Sequence, residues 1–222
     1  MPKTYDTIII GSGAGGLTAA VALAQAGQKV LVCEQHEVAG GWTHSFTLNG
    51  YRFSPGVHYI GGIEEGGSLN KIYRGLGVSN HLEFCELNPD AYDHIVIGDK
   101  QYDFPKGKEN LKKRLIEYFP HEAEGIDGYI EMVDKMVTGV SSLGRVKNAG
   151  SAVKAVGNAM SIMRWATRSG QDLIERFITD PVLRGILGGQ SGDHGLPPSE
   201  VSAFVHAGIT HHYFNGGYYP LG

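Results

Sequence analysis

The sequence predicts an α/β fold with a mainly helical segment inserted into it. Three runs carry that prediction. An apolar, β-branched run, Tyr5–Ile10, leads straight into glycines; an alanine-rich helical stretch, Leu17–Ala26, follows; a second short apolar run, Lys29–Glu34, comes next. Strand, helix and strand within about thirty residues form a βαβ unit, whose crossover is almost always right-handed. From Lys108 onward the pattern becomes charged and helical, which sets the inserted segment apart from the first domain.

Each element has a local cause. Tyr5–Ile10, apolar on both faces, reads as a buried parallel strand, and Gly27 is a left-handed cap that ends the first helix. Phe46–Leu48 and Tyr51–Phe53 flank Asn49-Gly50, the signature of a type I′ hairpin turn. A glycine-heavy loop, Ser54–Gly67, precedes a helical pattern over Ser68–Leu76. Glu83–Leu87, His94–Ile97 and Gln101–Phe104 read as strands, the last two joined by a turn at Gly98–Lys100. Further helices are expected over 108–119, 122–143, 150–168, 170–179 and 199–213. The expected organisation is an α/β domain over 1–105, a helical substrate or cap segment over 106–205, and a return toward the first domain over 206–222.

Composition excludes several classes. The chain has 222 residues, a net charge of −4 and 33 glycines. That glycine content is about twice the usual ~7%, yet no Gly-X-Y period accompanies it, so a collagen helix is excluded. The acidic balance offers no basic field for nucleic acid. Two cysteines, Cys33 and Cys85, are too few for a disulfide framework; Cys33 is expected to be a buried strand residue. The longest uncharged run, Thr7–Gln28, is interrupted by GSGAGG, which spoils both a signal peptide and a membrane span. The expectation is a cytoplasmic protein without a transmembrane helix.

The glycines after the first strand are the strongest motif. Gly11-Ser12-Gly13-Ala14-Gly15-Gly16 satisfies G-x-G-x-x-G between a strand and a helix, and Glu34 falls 23 residues after Gly11, at the end of the second strand. That context is what a dinucleotide fingerprint requires. Gly11 permits the tight turn, Gly13 clears the backbone for a pyrophosphate, and Gly16 lets the helix pack close to the sheet. The phosphates then meet free N–H groups and the positive end of the helix dipole. Glu34 accepts hydrogen bonds from the ribose hydroxyls and repels a 2′-phosphate, which disfavours NADP at this site. Gln35 follows it, Gly40-Gly41 lie six residues on, and Gly11–Gly16, Glu34, Gln35, Gly40, Gly41 and Trp42 are the expected cofactor-binding residues. A second glycine pair there lets another stretch of backbone approach the same phosphates, a pattern of two-dinucleotide-binding-domain flavoproteins, so FAD is the expected cofactor. Trp42 stands where related flavoproteins place an arginine; it carries no charge, and packing is its expected role.

The motifs together resemble a known family. Asp6–Gly16 (DTIIIGSGAGG), Glu34–Phe46 (EQHEVAGGWTHSF), Asn49–Gly61 (NGYRFSPGVHYIG) and Gly195–Pro220 (GLPPSEVSAFVHAGITHHYFNGGYYP) are similar to retinol saturase and the broader group of carotenoid isomerases and phytoene desaturases. The resemblance implies an FAD-binding Rossmann-like fold with an inserted helical substrate segment. It also implies a conjugated polyene lipid as substrate, and an electron donor such as NAD(P)H. It implies reduction of a carbon–carbon double bond, with desaturation or cis-trans isomerisation as alternatives in the same group. Members of the family are more than twice this long, so the chain is expected to be an N-terminal portion of such a protein, poorly active alone. A flavoprotein fold also serves carriers of lipidated partners that use no flavin; these tend to erode the fingerprint, which is intact here.

No nucleophile–base constellation appears, as expected where a flavin carries the hydride. The resemblance places His58 and Tyr59 near the flavin ring, either to orient it or relay a proton, or simply to pack beneath it. His44 has a similar standing. His206, His211 and His212 have no carboxylate or cysteine at ligand spacing; no metal is expected, and they are placed beside the substrate cavity or at the surface. Between Asp134 and Asp172 there is no acidic residue but there are six basic ones: Lys135, Arg145, Lys147, Lys154, Arg164 and Arg168. On a helix, Lys154, Arg164 and Arg168 share a side with Trp165. That face through 145–168 suits peripheral contact with an anionic membrane, or is an ordinary solvated face.

Overall fold

The computed structural model describes residues 4–143 and 162–221. Two compact units make it up: one takes the chain to Cys85 together with the closing stretch from Tyr219, and the other runs from Glu86 to Tyr218.

In the first unit, β1 (Thr7–Ile10) pairs in parallel with β2 (Val30–Cys33), in register Thr7–Val30 through Ile10–Cys33. Helix α1 (Ala14–Gln25) connects them, and Gly27 is in the left-handed region at φ 86°. The hairpin is as expected: β3 (Phe46–Leu48) and β4 (Tyr51–Phe53) pair antiparallel, with Asn49 at φ 51° and Gly50 at φ 82°. Both central residues at positive φ define the type I′ turn. Phe46 and Phe53, directly opposite in the ladder, stack with centroids 5.4 Å apart. Helix α2 (Ser68–Gly75) follows, and β5 (Glu83–Glu86) pairs with the final strand β8 (Tyr218–Leu221).

In the second unit, β6 (Asp93–Ile97) and β7 (Lys100–Phe104) form an antiparallel hairpin. Helices α3 (Lys108–Tyr118), α4 (Ala123–Leu143), α5 (Gly170–Phe177), α6 (Pro181–Leu187) and α7 (Ala203–His212) complete it. Helix α4 is the centre. Ile126, Tyr129, Ile130, Val133 and Met136 are fully buried along one face, the three-and-four spacing of a helix that packs one stripe. The expected boundary at residue 105 is corrected. The β6–β7 hairpin belongs with the helices because its apolar face is used there: Ile97 and Ile95 pack against Gly185 of α6 and against Gly189, and Tyr102 and Phe104 are buried.

Other expectations also change. Tyr5–Ile10 is not buried as a whole, since Ile8 and Ile10 are 61% and 91% exposed. Ile9 faces α1, near Gly16, but the opposite face of this two-stranded sheet is uncovered. Cys33 is exposed for the same reason. The helix expected over 150–168 falls mostly outside the described residues, and 164–167 form turns. Trp165 is buried, at 4% exposure, and does not share an open face with the arginines. Lys154, Lys147 and Arg145 lie outside the described residues. Among the described residues, no helix is long and apolar enough to cross a membrane.

Candidate dinucleotide-binding site

The fingerprint loop joins β1 to α1. Gly13 precedes the helix and has no side chain to cap it, so the first-turn N–H groups have no side-chain acceptor there and point their dipole outward. A Cβ on Gly16 would lie 2.1 Å from the Gly11 carbonyl oxygen; only glycine permits this approach of helix to strand. The outward positions differ. A Cβ on Gly13 or Gly15 would meet no protein atom within 4 Å, so the space in front of the loop is free for a phosphate.

Glu34 follows β2 and closes back onto this loop. Its Oε2 accepts from the Ser12 amide at 2.7 Å and the Ser12 hydroxyl at 2.6 Å, while Oε1 accepts from the His36 amide at 2.8 Å. These donors, led by the Ser12 hydroxyl, hold the carboxyl down at about 2 against partial desolvation. Glu34 is therefore an anion throughout the physiological range. Ser12 itself is buried. The spacing of the motif identified Glu34 but not the role of Ser12; a hydroxyl between two fingerprint glycines, facing an acid one strand away, was the available signal.

The second glycine pair meets the first loop directly. Gly40 bridges to Gly13, and its amide donates to the Ser12 carbonyl at 3.0 Å and to the Ser12 hydroxyl at 3.3 Å. A Cβ on Gly41 would come within 3.0 Å of the Gly13 Cα. The pair thus buttresses the fingerprint loop. Trp42 does not pack as expected: the residue is 77% exposed, with its carbonyl, Cβ and one ring edge against Gly56. Gln35 and His58 are exposed, and Tyr59 is half-buried. His44 bonds through Nδ1 to the Gly41 carbonyl at 2.5 Å. The structure gathers Gly11–Gly16, Glu34, Gly40 and Gly41 into one cradle. It leaves Gln35 and the Trp42 ring at the surface.

The same unit contains a cavity of about 700 Å³. Leu17, Val21, Phe53, Tyr73 and Phe84 give it a largely apolar wall. Of the C-terminal histidines, His206 is not at the surface: it is buried at 4% exposure and paired through Nε2 with the Tyr129 hydroxyl at 2.8 Å. His211 contacts Asp134 at 3.3 Å, and the His212 ring packs edge-on against Tyr213.

The βαβ unit and its glycine cradle define a Rossmann-like dinucleotide-binding protein, and residues 9–76 match the family described as NAD(P)-binding Rossmann-like domain. Over its whole length the chain is similar to all-trans-retinol 13,14-reductase of Danio rerio, 33% identical over 233 residues, which take in 100% of this chain and 38% of the relative. An inactive all-trans-retinol 13,14-reductase of the same organism is 30% identical, again over 100% of this chain and 38% of the relative. Prolycopene isomerase 1 of an Oncidium hybrid cultivar is 27% identical over 99% of this chain and 39% of the relative. The resemblance to the retinol saturase and carotenoid isomerase family holds along the entire chain, which spans about two-fifths of the length of these relatives.

Solved structures agree on the fold. A redesigned putrescine oxidase superposes with a TM-score of 0.58 at 19% identity, over 97% of this chain and 46% of that one. A Rab GDI from Plasmodium falciparum gives 0.53 at 15% identity, over 100% of this chain and 53% of that one. An oxidase and a GDI share the architecture, so the choice between them rests on the site.

Proposed function

We propose that the protein is an FAD-dependent oxidoreductase acting on a conjugated polyene lipid, with retinol saturase-like reduction of one carbon–carbon double bond as its reaction. One observation carries this reading: the cradle of Gly11–Gly16, with Glu34 ionised and locked to it, is intact in a chain similar along its full length to named retinol reductases. The residues fit a dinucleotide, since space lies open in front of Gly13 and Gly15 and the acid at the end of β2 is charged.

Bound FAD supplies the hydride-carrying centre. The chain's own residues do the holding. Backbone amides at the start of α1 receive the pyrophosphate; Glu34 accepts from the ribose hydroxyls and excludes a 2′-phosphate; Gly40 and Gly41 keep the loop in place. His58 and Tyr59 stand as candidates to orient the ring or hold the proton that accompanies the hydride. NAD(P)H is proposed as the source of electrons, bound elsewhere than at Glu34 if it carries the 2′-phosphate.

The similarity to prolycopene isomerase favours a second reading within the group, cis-trans isomerisation without net redox change. A carotenoid desaturase is the reverse of the first. The protein is loaded with FAD, reduced anaerobically by dithionite or by NAD(P)H, and incubated with all-trans-retinol and with prolycopene. A product heavier by two hydrogens is the expected result. An isomer of unchanged mass selects the second reading, and a loss of two hydrogens with oxidised flavin selects desaturation. Failure to bind FAD at all would leave a carrier on the flavoprotein fold and end the enzymatic reading.

A further inference from the structure

A second pocket lies in the helical unit and shares no residue with the cradle. Arg164, Trp165 and Arg168, from the turns before α5, and Asp172, Glu175 and Arg176, from α5 itself, line a pocket of about 390 Å³. Three arginines line it, and none of the three has a carboxylate within ion-pair distance among the described residues. The two acids are engaged elsewhere. Asp172 accepts from the Ser169 amide at 2.9 Å in a reciprocal helix cap, with Arg168 near enough to help hold its pKa down. Glu175 accepts from Gln171 at 2.8 Å and faces Arg184 at 3.6 Å.

Arg164 and Arg168 also have no acid on their N-terminal side nearer than Asp134, so with Arg176 the lining keeps three cations against two acids. Trp165 lines the same pocket and is 4% exposed; among the described residues its indole Nε1, a donor only, has no hydrogen-bond acceptor. Arg164 lies over the same ring, 5.3 Å from its centroid, a cation–π contact that orders the guanidinium.

We infer that this pocket binds a phosphate group, with Arg164, Arg168 and Arg176 as the cationic fork donors. Guanidinium geometry matches phosphate oxygens in pairs, and the Trp165 ring beside them reports the arrival of the anion. The phosphate of a lipid headgroup and a free phosphate present the same chemistry; Met163, next to Arg164 in the chain and 64% exposed, gives a lipid surface something to cover. This inference is independent of the flavin reading.

The test is an NMR titration of the ¹⁵N-labelled 222-residue chain, following the Trp165 indole N–H. The chain has two tryptophans, and Trp42→Phe assigns the second signal. Inorganic phosphate and monomeric dihexanoyl phosphatidic acid are titrated separately. The expected result is a saturable shift of the Trp165 signal with both ligands, and dissociation constants raised about tenfold in Arg168→Gln and in Arg176→Gln. Lys113→Gln, an equal loss of charge at a residue outside the pocket, leaves both constants unchanged. Tighter binding of the lipid assigns a headgroup site; equal binding assigns a soluble phosphate. A Trp165 signal that does not saturate with either ligand in the unmodified chain overturns the proposal, as does an equal loss of affinity in Lys113→Gln.

Discussion

Two hydrogen bonds from Ser12, one from its amide and one from its hydroxyl, end on the same oxygen of Glu34, and the Gly40 amide reaches back to Ser12. One small side chain thus joins the fingerprint loop, the ribose-binding acid and the second glycine pair. Removing the hydroxyl in Ser12→Ala deletes the largest cause of the depressed Glu34 pKa. The carboxyl should then titrate above about 2, toward its ordinary value of 4.5, as read by NMR of its side-chain carbon, and FAD affinity should fall about tenfold. An unchanged titration would remove Ser12 from the site. Gly11, Gly13, Gly16 and Glu34 were legible in the sequence because backbone geometry dictates both residue type and spacing there. Ser12 was legible as part of the motif but its tie to Glu34 was not, because that partner lies 22 positions away and many residues fit the position. Trp42 and Cys33 misled for a related reason. A residue's burial depends on what covers it, and an apolar side chain does not say whether the cover is present.

Among the elements, the β3–β4 hairpin and α4 were legible to within a residue, whereas α1 starts three residues before the expected Leu17. The β3–β4 hairpin follows from Asn49-Gly50, and α4 from its apolar stripe. Helix α6 was missed although it carries its own signal: Asp180 caps it by accepting from the Val182 and Leu183 amides, with Pro181 in its first turn. Asp-Pro ahead of an apolar run is a helix start. The pairing of α4 with α7 was not legible, because it turns on Tyr129 and His206, 77 residues apart. Burial, with a smaller push from His194, lowers His206 to about 4, so it is neutral when folded. The unfolded chain, at the ordinary 6.5, takes up the proton first. Stability is therefore full above pH 6.5, declines as pH falls toward 4, and levels off below; the shift corresponds to about 3 kcal/mol. Urea midpoints of the helical signal at pH 7.5, 5.5 and 4 should fall in that order. In His206→Leu the decline across this window should be shallower, and an equal slope would place the pH dependence in other groups.

At the level of the whole chain, the hydrophobic core is unevenly divided. Every large apolar side chain that is buried among the described residues lies between Tyr92 and Tyr218, in the second unit. The first unit instead exposes Ile8, Ile10, Trp42, Leu48, Tyr51 and Phe53. Burial contributes roughly 25 cal/mol for each Å² of apolar surface removed from water, so the two units differ greatly in what holds them. The first depends on ladders, turns and the Ser12–Glu34 bonds, and a bound dinucleotide would add to these directly by mass action. Local opening follows the density of buried contacts. Hydrogen exchange followed by mass spectrometry should therefore show slow amides in α3, α4, α5 and α7 and fast ones in β1, α1 and β2. FAD should slow exchange at Gly11–Gly16 and across α1, leaving the α4 and α7 rates as they were. Protection that rises equally in both units would mean that the cradle and the helical core open together, and that the stability of the first unit does not depend on its own few contacts.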